Sequence, residues 1–261
     1  MVDGGLLEIQ NLSRHFGGLT AVDDLTFEVR HDEILSLIGP NGAGKSTVFN
    51  LISGLYPPSS GKILFKGESI GGLKPDRVER KGIARTFQTL RLFANMTVLE
   101  NVLVGYHARL RSTLFGDIIK PPWVTKAEKE AVARSREVLR HLSPRLYAHQ
   151  DFQASDLAYA DRRLLELARA MVSGPALLML DEPTAGMNPT EAVEFMDHIR
   201  RIHADGFTIL LIEHNLSVVM GVSHRIVVLD YGTKIAEGLP DEVRHNDRVI
   251  EAYLGRKATT A

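Results

Sequence analysis

The run Gly39-Pro40-Asn41-Gly42-Ala43-Gly44-Lys45-Ser46-Thr47 has the residue types and spacing to hold a phosphate chain. Glycines let a backbone curl until consecutive N–H groups point inward at an anion. The apolar run Ile34–Ile38 before it reads as a buried strand, and Val48–Ile52 after it reads as the start of a helix. Strand, glycine-rich turn and helix is the context such a loop requires. The helix N-terminus behind the turn adds roughly half a positive charge. Lys45 is placed to reach terminal phosphates, and the Ser46 hydroxyl to ligate Mg²⁺. Glycine-rich turns also join strands to helices for steric reasons alone, but the Lys-Ser pair in this context points to a bound nucleotide.

Two later apolar runs end in polar groups. Ala176–Leu180 leads into Asp181 and Glu182, and Thr208–Ile212 leads into Glu213 and His214. Carboxylates at the C-terminal end of a parallel strand lie where α/β sheets bind ligands. Asp181 suits coordination of Mg²⁺ beside Ser46. Glu182 is placed to take a proton from an attacking water or to orient it. Read alone, both are also simple strand-end residues or caps for the next helix; the upstream phosphate loop is what gives them a chemical meaning. His214 ends a core strand of the same sheet and suits a hydrogen bond to a terminal phosphate oxygen or to the water beside Glu182. The other histidines read as ordinary surface or core residues, with His15 left open. Gln88, after Arg85-Thr86-Phe87, stands where the strand-rich region gives way to helices. An amide there could touch Mg²⁺ or water, or be a plain surface residue.

These groups need a scaffold, and the chain is long enough to provide one. Its 261 residues are 44% hydrophobic and 24% charged, ordinary values for a globular domain with a sizeable core. Lys+Arg number 31 against Asp+Glu 32, so no global field attracts nucleic acid or anionic lipid. The cysteine count of 0 excludes disulfides, thiol catalysis and cysteine metal sites, and fits a reducing cytoplasm. The apolar runs fall far short of the ~20 residues that span a bilayer, and the N-terminus lacks the charge pattern of a signal peptide. The chain is expected to be soluble, with any membrane role coming through a partner. Strands are expected at Leu6–Leu12, Leu25–Val29, Ile34–Ile38, Lys62–Phe65, Leu177–Leu180, Ile209–Ile212 and Ile226–Leu229. Helices are expected at Lys45–Ser53, Thr190–Ala204, Leu216–Val222 and Pro240–Leu254. From about Thr97 to Val172 the strand signal vanishes. Thr125–Leu142 is charged and helical in period, Pro121-Pro122 breaks the chain ahead of it, and Lys257–Ala261 reads as a loose tail.

Together these features resemble the nucleotide-binding subunit of an ATP-binding cassette (ABC) transporter, from about Leu7 to Leu254. The resemblance implies an α/β fold: a P-loop NTPase (RecA-like) core with an antiparallel β lobe and an inserted α-helical subdomain. The core would be residues 1–87 and 173–255, the helical subdomain 88–172, and the tail 256–261. Gly39–Thr47 would be the Walker A loop and Leu177–Asp181 the Walker B strand. Glu182 would be the catalytic glutamate, Gln88 the Q-loop glutamine, His214 the switch histidine and Phe16 the ring that stacks on adenine. Ala185-Gly186-Met187-Asn188 occupies the D-loop position, with Asn188 where many relatives have Asp.

The segments Arg14–Gly18, Glu182–Pro189, Ile212–Asn215, Val219–Gly221 and Val249–Gly255, and the long helical stretch after Gly105, look like the branched-chain amino acid uptake group. That implies ATP and Mg²⁺ as cofactors and a second ATPase subunit as partner, a heterodimer or else a homodimer. It also implies two membrane permease subunits and, indirectly, a periplasmic or extracellular binding protein, with no nucleic acid. The chain would sit on the cytoplasmic face of the inner membrane, peripheral through the permeases. Import of urea, amides or other amino acids, and lipid or lipopolysaccharide export, are the alternative cargoes. The signature motif departs from Leu-Ser-Gly-Gly-Gln: here it is Leu157-Ala158-Tyr159-Ala160-Asp161. Ala158 lacks the hydroxyl that would meet the partner's γ-phosphate, and Ala160 adds a Cβ where glycine allows closest approach. A weakened signature, felt at the nucleotide on the other subunit, is the expectation.

Overall fold

The computed structural model describes residues 5–106 and 122–254. A four-stranded antiparallel sheet, ordered β2-β1-β4-β5, is built from β1 (Leu7–Phe16), β2 (Leu19–Val29), β4 (Ser60–Phe65) and β5 (Glu68–Ser69). A six-stranded sheet, ordered β10-β9-β3-β8-β7-β6, holds β3 (Ile34–Ile38), β6 (Ile83–Arg85), β7 (Leu177–Asp181), β8 (Thr208–Ile212), β9 (Arg225–Asp230) and β10 (Thr233–Gly238). In it β9, β3, β8, β7 and β6 run parallel, and β10 returns antiparallel along the edge.

The parallel strands are apolar throughout because both faces are covered. Leu177, Met179, Leu210 and Ile212 pack with Phe49, Ile52 and the antiparallel lobe. Leu178, Leu180, Ile209 and Leu211 pack with Val98, Val102, Leu139, Leu165 and Phe195 from the helical layer. The long helix Pro122–Leu142 docks through Ala131, Ser135, Val138, Leu139 and Leu142, one stripe at helical spacing.

Register decides where the chemistry falls. Ile212 pairs with Leu37 on one side and with Asp181 on the other. The ends of β3, β8 and β7 are therefore level, and Gly39, Glu213 and Glu182 leave the sheet side by side.

The expected elements are present, with several differences: β2 starts at Leu19 rather than Leu25, and β5 and the helix Pro75–Arg80 stand outside the expected spans. β1 runs on to Phe16, past a register shift at Asn11, whose φ of 47° marks an irregularity that breaks the alternation. β6 and β10 had no apolar signal, being a three-residue edge strand and a polar edge strand. The closing helix is two, Pro240–Arg244 and Asp247–Leu254, because Asn246 Oδ1 accepts from the amides of Arg248 (3.0 Å) and Val249 (3.4 Å) and starts a new helix. Pro122 is the first residue of its helix; Pro121, part of the stretch after Gly105 and the tail Lys257–Ala261 lie outside the described residues. Among the described residues no helix is long and apolar enough to cross a membrane.

Candidate active site

The loop after β3 is shaped by the main chain around it. A Cβ on Gly39 would stand 2.1 Å from the Leu229 carbonyl oxygen, and one on Gly44 2.5 Å from that of Ala21. Both glycines have positive φ, at 152° and 99°, so no larger residue fits either the space or the backbone. Gly44 precedes the helix Lys45–Ile52 with no side-chain cap, which leaves the first N–H groups of that helix to serve an anion. Lys45 is 5% exposed, and its ammonium donates to the carbonyls of Gly39 (2.6 Å) and Pro40 (2.9 Å). Burial holds it below the ordinary lysine value, opposed by Glu182 and Asp181 nearby.

A cavity of ≈ 350 Å³ opens over this loop, with Lys45, Ser46, Thr47, Glu182 and His214 along it and Leu19 and Tyr231 among its apolar walls. Glu182 stands one residue past β7 in left-handed backbone, φ 48°, a conformation that costs about 1–3 kcal/mol and is tolerated where its surroundings hold it. Its N–H donates to the Ile212 carbonyl at 2.9 Å, and its own carbonyl accepts from Ala185 at 3.1 Å. The side chain is held from two sides. The Gln88 amide donates to Oε2 at 2.7 Å, and the His214 ring Nε2 is bonded to Oε1. Three residues that the sequence singled out separately thus meet on one carboxylate.

Asp181 is the last residue of β7, directly before Glu182. It is 5% exposed, and its Oδ2 accepts from Arg85 at 2.8 Å. Arg85 also donates to Asn50 Oδ1 and Ser53 Oγ, both at 2.8 Å, on the loop helix. Burial lowers the Arg85 pKa, opposed by the hydrogen bond to Asp181. Arg85 therefore locks β7 to the loop helix, a role the sequence does not advertise. Ser46 is exposed at the cavity. Ser46, Asp181 and Gln88 each offer an oxygen, the donor type that suits a hard cation such as Mg²⁺. Among the described residues no group of three or more His, Cys, Asp or Glu side chains could hold a metal by itself, so substrate oxygens would have to complete any coordination shell.

Phe16 lies outside the residues lining that cavity; its ring meets Tyr56 edge-on at 5.3 Å and Arg14 lies 4.5 Å over it. Asn188 caps the helix Pro189–Ala204, accepting from Glu191 N at 3.0 Å in a capping box, a task that Asp would perform equally well. Glu213, 3% exposed, accepts from Thr184 N (2.9 Å) and Oγ1 (2.5 Å) and from His214 N (3.1 Å). It ties the turn after Glu182 to the turn carrying His214. The sequence showed it only as another strand-end acid.

Leu157–Asp161 lies apart from the phosphate loop. Leu157 is buried, Ala158 is the uncapped start of the helix Tyr159–Met171, and Ala160 stands in its first turn. Asp161 is buried and pairs with Arg145 at 2.5 Å. Tyr159 donates its hydroxyl proton to the Ala185 carbonyl at 2.7 Å.

Residues 22–185 match the ABC transporter family, and residues 233–259 match a family described as branched-chain amino acid ATP-binding cassette transporter. The high-affinity branched-chain amino acid transport ATP-binding protein LivG of Escherichia coli (strain K12) is 47% identical over 251 residues, 96% of this chain and 98% of that protein. BraF of Pseudomonas aeruginosa, with the same description, is 42% identical over the same shares. The crystal structure of the ADP conformation of MJ1267, an ATP-binding cassette of an ABC transporter, superposes with a TM-score of 0.84 at 32% identity, covering 96% of this chain and 98% of that one. A match over most of the chain, and identities this high along nearly all of it, place one conclusion beyond the geometry: this chain belongs to the ABC transporter family, whose cassettes hydrolyse ATP.

Proposed function

We propose that the chain is the ATP-hydrolysing subunit that powers import of branched-chain amino acids, working as one half of a pair of cassettes on the cytoplasmic face of the membrane. What carries the reading is the Glu182 carboxylate, held between Gln88 and His214 in the cavity that also contains Lys45. The branched-chain match at residues 233–259 and the descriptions of LivG and BraF support the cargo.

In this reading the amides of Gly39–Thr47 and the Lys45 ammonium cradle the phosphates of ATP, leaving their present carbonyl partners for phosphate oxygens. Ser46, Asp181 and Gln88 would hold Mg²⁺, which when bound neutralises charge on the phosphate oxygens. Glu182 orients a water and takes its proton, and His214 keeps that carboxylate in place while hydrogen-bonding toward the terminal phosphate. Phe16 would have to leave Tyr56 to stack on adenine. Leu157–Asp161, which is absent from the lining of this cavity, serves the nucleotide of the second cassette, so ATP joins the two halves. Moving such a pair from mostly open to mostly closed takes about 5.5 kcal/mol of differential binding. Residues 88–172 move as a helical body against the core formed by 1–87 and 173–255. The cleft lined by Leu55, Phe87, Val104 and Arg169, beside Gln88 and Thr89–Val98, receives a short helix from one of two membrane permeases. A binding protein outside the membrane delivers the cargo to them.

Two measurements test the reading. Glu182→Gln is expected to keep ATP affinity and lose roughly 10²–10⁴-fold in hydrolysis, the size of a general-base contribution; an unchanged rate removes Glu182 from that role. Labelled leucine uptake by the assembled transporter should depend on this chain, and uptake of urea instead would replace the cargo.

A further inference from the structure

Tyr159 and Arg163 lie one helical turn apart, so they share a face, and neither lines the phosphate cavity. Yet both belong to a closed circuit of hydrogen bonds that begins and ends at Glu182. The Glu182 carboxylate accepts from the Gln88 side chain at 2.7 Å. The main-chain carbonyl of the same Gln88 accepts from Arg163 at 2.6 Å, and the Phe87 carbonyl from Arg163 at 3.1 Å. Arg163 donates twice more, to the Tyr159 hydroxyl oxygen at 3.2 and 3.0 Å. Tyr159 passes its own proton to the Ala185 carbonyl at 2.7 Å, and Ala185 N–H returns to the Glu182 carbonyl at 3.1 Å.

The circuit is built rather than incidental. Arg163 is 4% exposed, and a guanidinium so buried needs both a counter-charge and acceptors for its fixed fork of donors. Glu166, 2% exposed, supplies the charge at 3.3 Å, and the four bonds above supply the acceptors. Gly186, at φ 81°, leaves the room: a Cβ there would lie 3.1 Å from the Tyr159 hydroxyl. A residue serving only the core would be apolar here. This one engages the carbonyls of the segment that carries Gln88, and through Tyr159 the turn that follows Glu182.

We propose that Tyr159 and Arg163 are positioning residues that tie this chain's own hydrolytic carboxylate to the segment Leu157–Asp161, so that a shift of Gln88 at one nucleotide is transmitted to the segment offered to the other. The inference rests on the reading that Leu157–Asp161 completes the second cassette's site. The link is physical: Tyr159 belongs to that segment, and one arginine joins it to the main chain of Gln88. Ala158 and Ala160 flank Tyr159, so the hydroxyl and glycine missing from the signature leave the placement of the segment to this side chain.

Tyr159→Phe removes one hydroxyl and keeps the ring. In the transporter assembled with its second cassette and membrane subunits, it is expected to lower kcat for ATP roughly three- to tenfold, the scale of one or two lost hydrogen bonds. KM should stay within about twofold, and so should the affinity of the purified single chain for a fluorescent ATP analogue. Arg163→Gln should reproduce the loss and Arg163→Lys, which keeps the charge and some donors, should recover part of it. A Tyr159→Phe transporter with wild-type kcat overturns the link, as does a loss of kcat matched by an equal loss of single-chain affinity. A wild-type chain that fails to bind the analogue sinks the nucleotide reading itself, whereas a binding wild type with an unaffected Tyr159→Phe sinks the link alone.

Discussion

Two segments of this cassette are proposed to meet phosphate, and they are held in opposite ways. At Gly39–Thr47 the main chain is the binding surface, and its path is enforced by contacts that leave no room for a side chain, 2.1 Å from a Gly39 Cβ to Leu229 and 2.5 Å from a Gly44 Cβ to Ala21. At Leu157–Asp161 the main chain is an ordinary helix start, and side chains fix its place: Tyr159 on Ala185, Asp161 on Arg145, and Arg163 between Tyr159 and Gln88. The first is specified sterically and has little freedom to move. The second is attached by bonds that can be remade, as would suit the proposed meeting and parting with a second cassette.

The comparison would blur if the phosphate side also leaned on side chains, and at one point it does. Arg85 and Asp181, with side chains 8% and 7% exposed, form a buried pair between β7 and the loop helix. Removing one partner strands the other charge, so Arg85→Ala is expected to lose about 3–5 kcal/mol of stability in urea unfolding. Replacing both by apolar residues of similar size should recover much of that. A loss under about 1 kcal/mol would mean that water reaches Asp181 and that the lock is not what holds the strand to the loop.

Gly39→Ala probes the steric side directly. The new methyl meets a carbonyl of the neighbouring strand turn, and the backbone sits at φ 152°. A loss of about 1–3 kcal/mol is expected, together with a weakened affinity for ATP, read by unfolding and by titration. Unchanged values for both would show that the loop yields to its neighbours, and the contrast with the signature segment would dissolve.

The same contrast explains what the sequence could and could not reveal. Gly39–Thr47 was legible because a main-chain surface demands glycines, and glycines are visible. Glu182 and His214 were legible because parallel strands buried on both faces read as apolar runs, and polar groups at their ends stand out. Gln88 was found as a junction residue, and its bond to Glu182 gives that position a cause. Arg85, Arg163 and Glu213 were not found, since each acts through a partner far along the chain: Asp181, the Phe87 and Gln88 carbonyls, and Thr184. Nothing in a local pattern marks a buried arginine that will meet a carbonyl 75 or 76 positions away. Phe16 shows the reverse: a suitable residue type in a suitable place, whose ring here packs on Tyr56 and beneath Arg14.

Ala158→Ser sharpens the comparison on the signature side with the smallest change. Ala158 occupies the N-cap of the helix Tyr159–Met171 in extended backbone, φ −60° and ψ 158°, with no side chain accepting from the first turn. Serine suits that backbone, and its hydroxyl can accept from an N–H of the first turn. A gain of about 1 kcal/mol in the single chain is therefore expected, the usual difference between alanine and serine at this position. The same hydroxyl would face the second cassette, so turnover of the assembled pair should rise as well. The two readouts separate two causes. Greater stability with unchanged turnover means that the alanine is a helix-capping defect and that Tyr159 already places the segment. Greater turnover with unchanged stability means that the hydroxyl makes no cap in the single chain and acts only on the partner's phosphate in the pair. Neither rise would show that the first-turn amides are satisfied without it, and that side-chain anchoring through Tyr159 and Arg163 suffices to present this helix end.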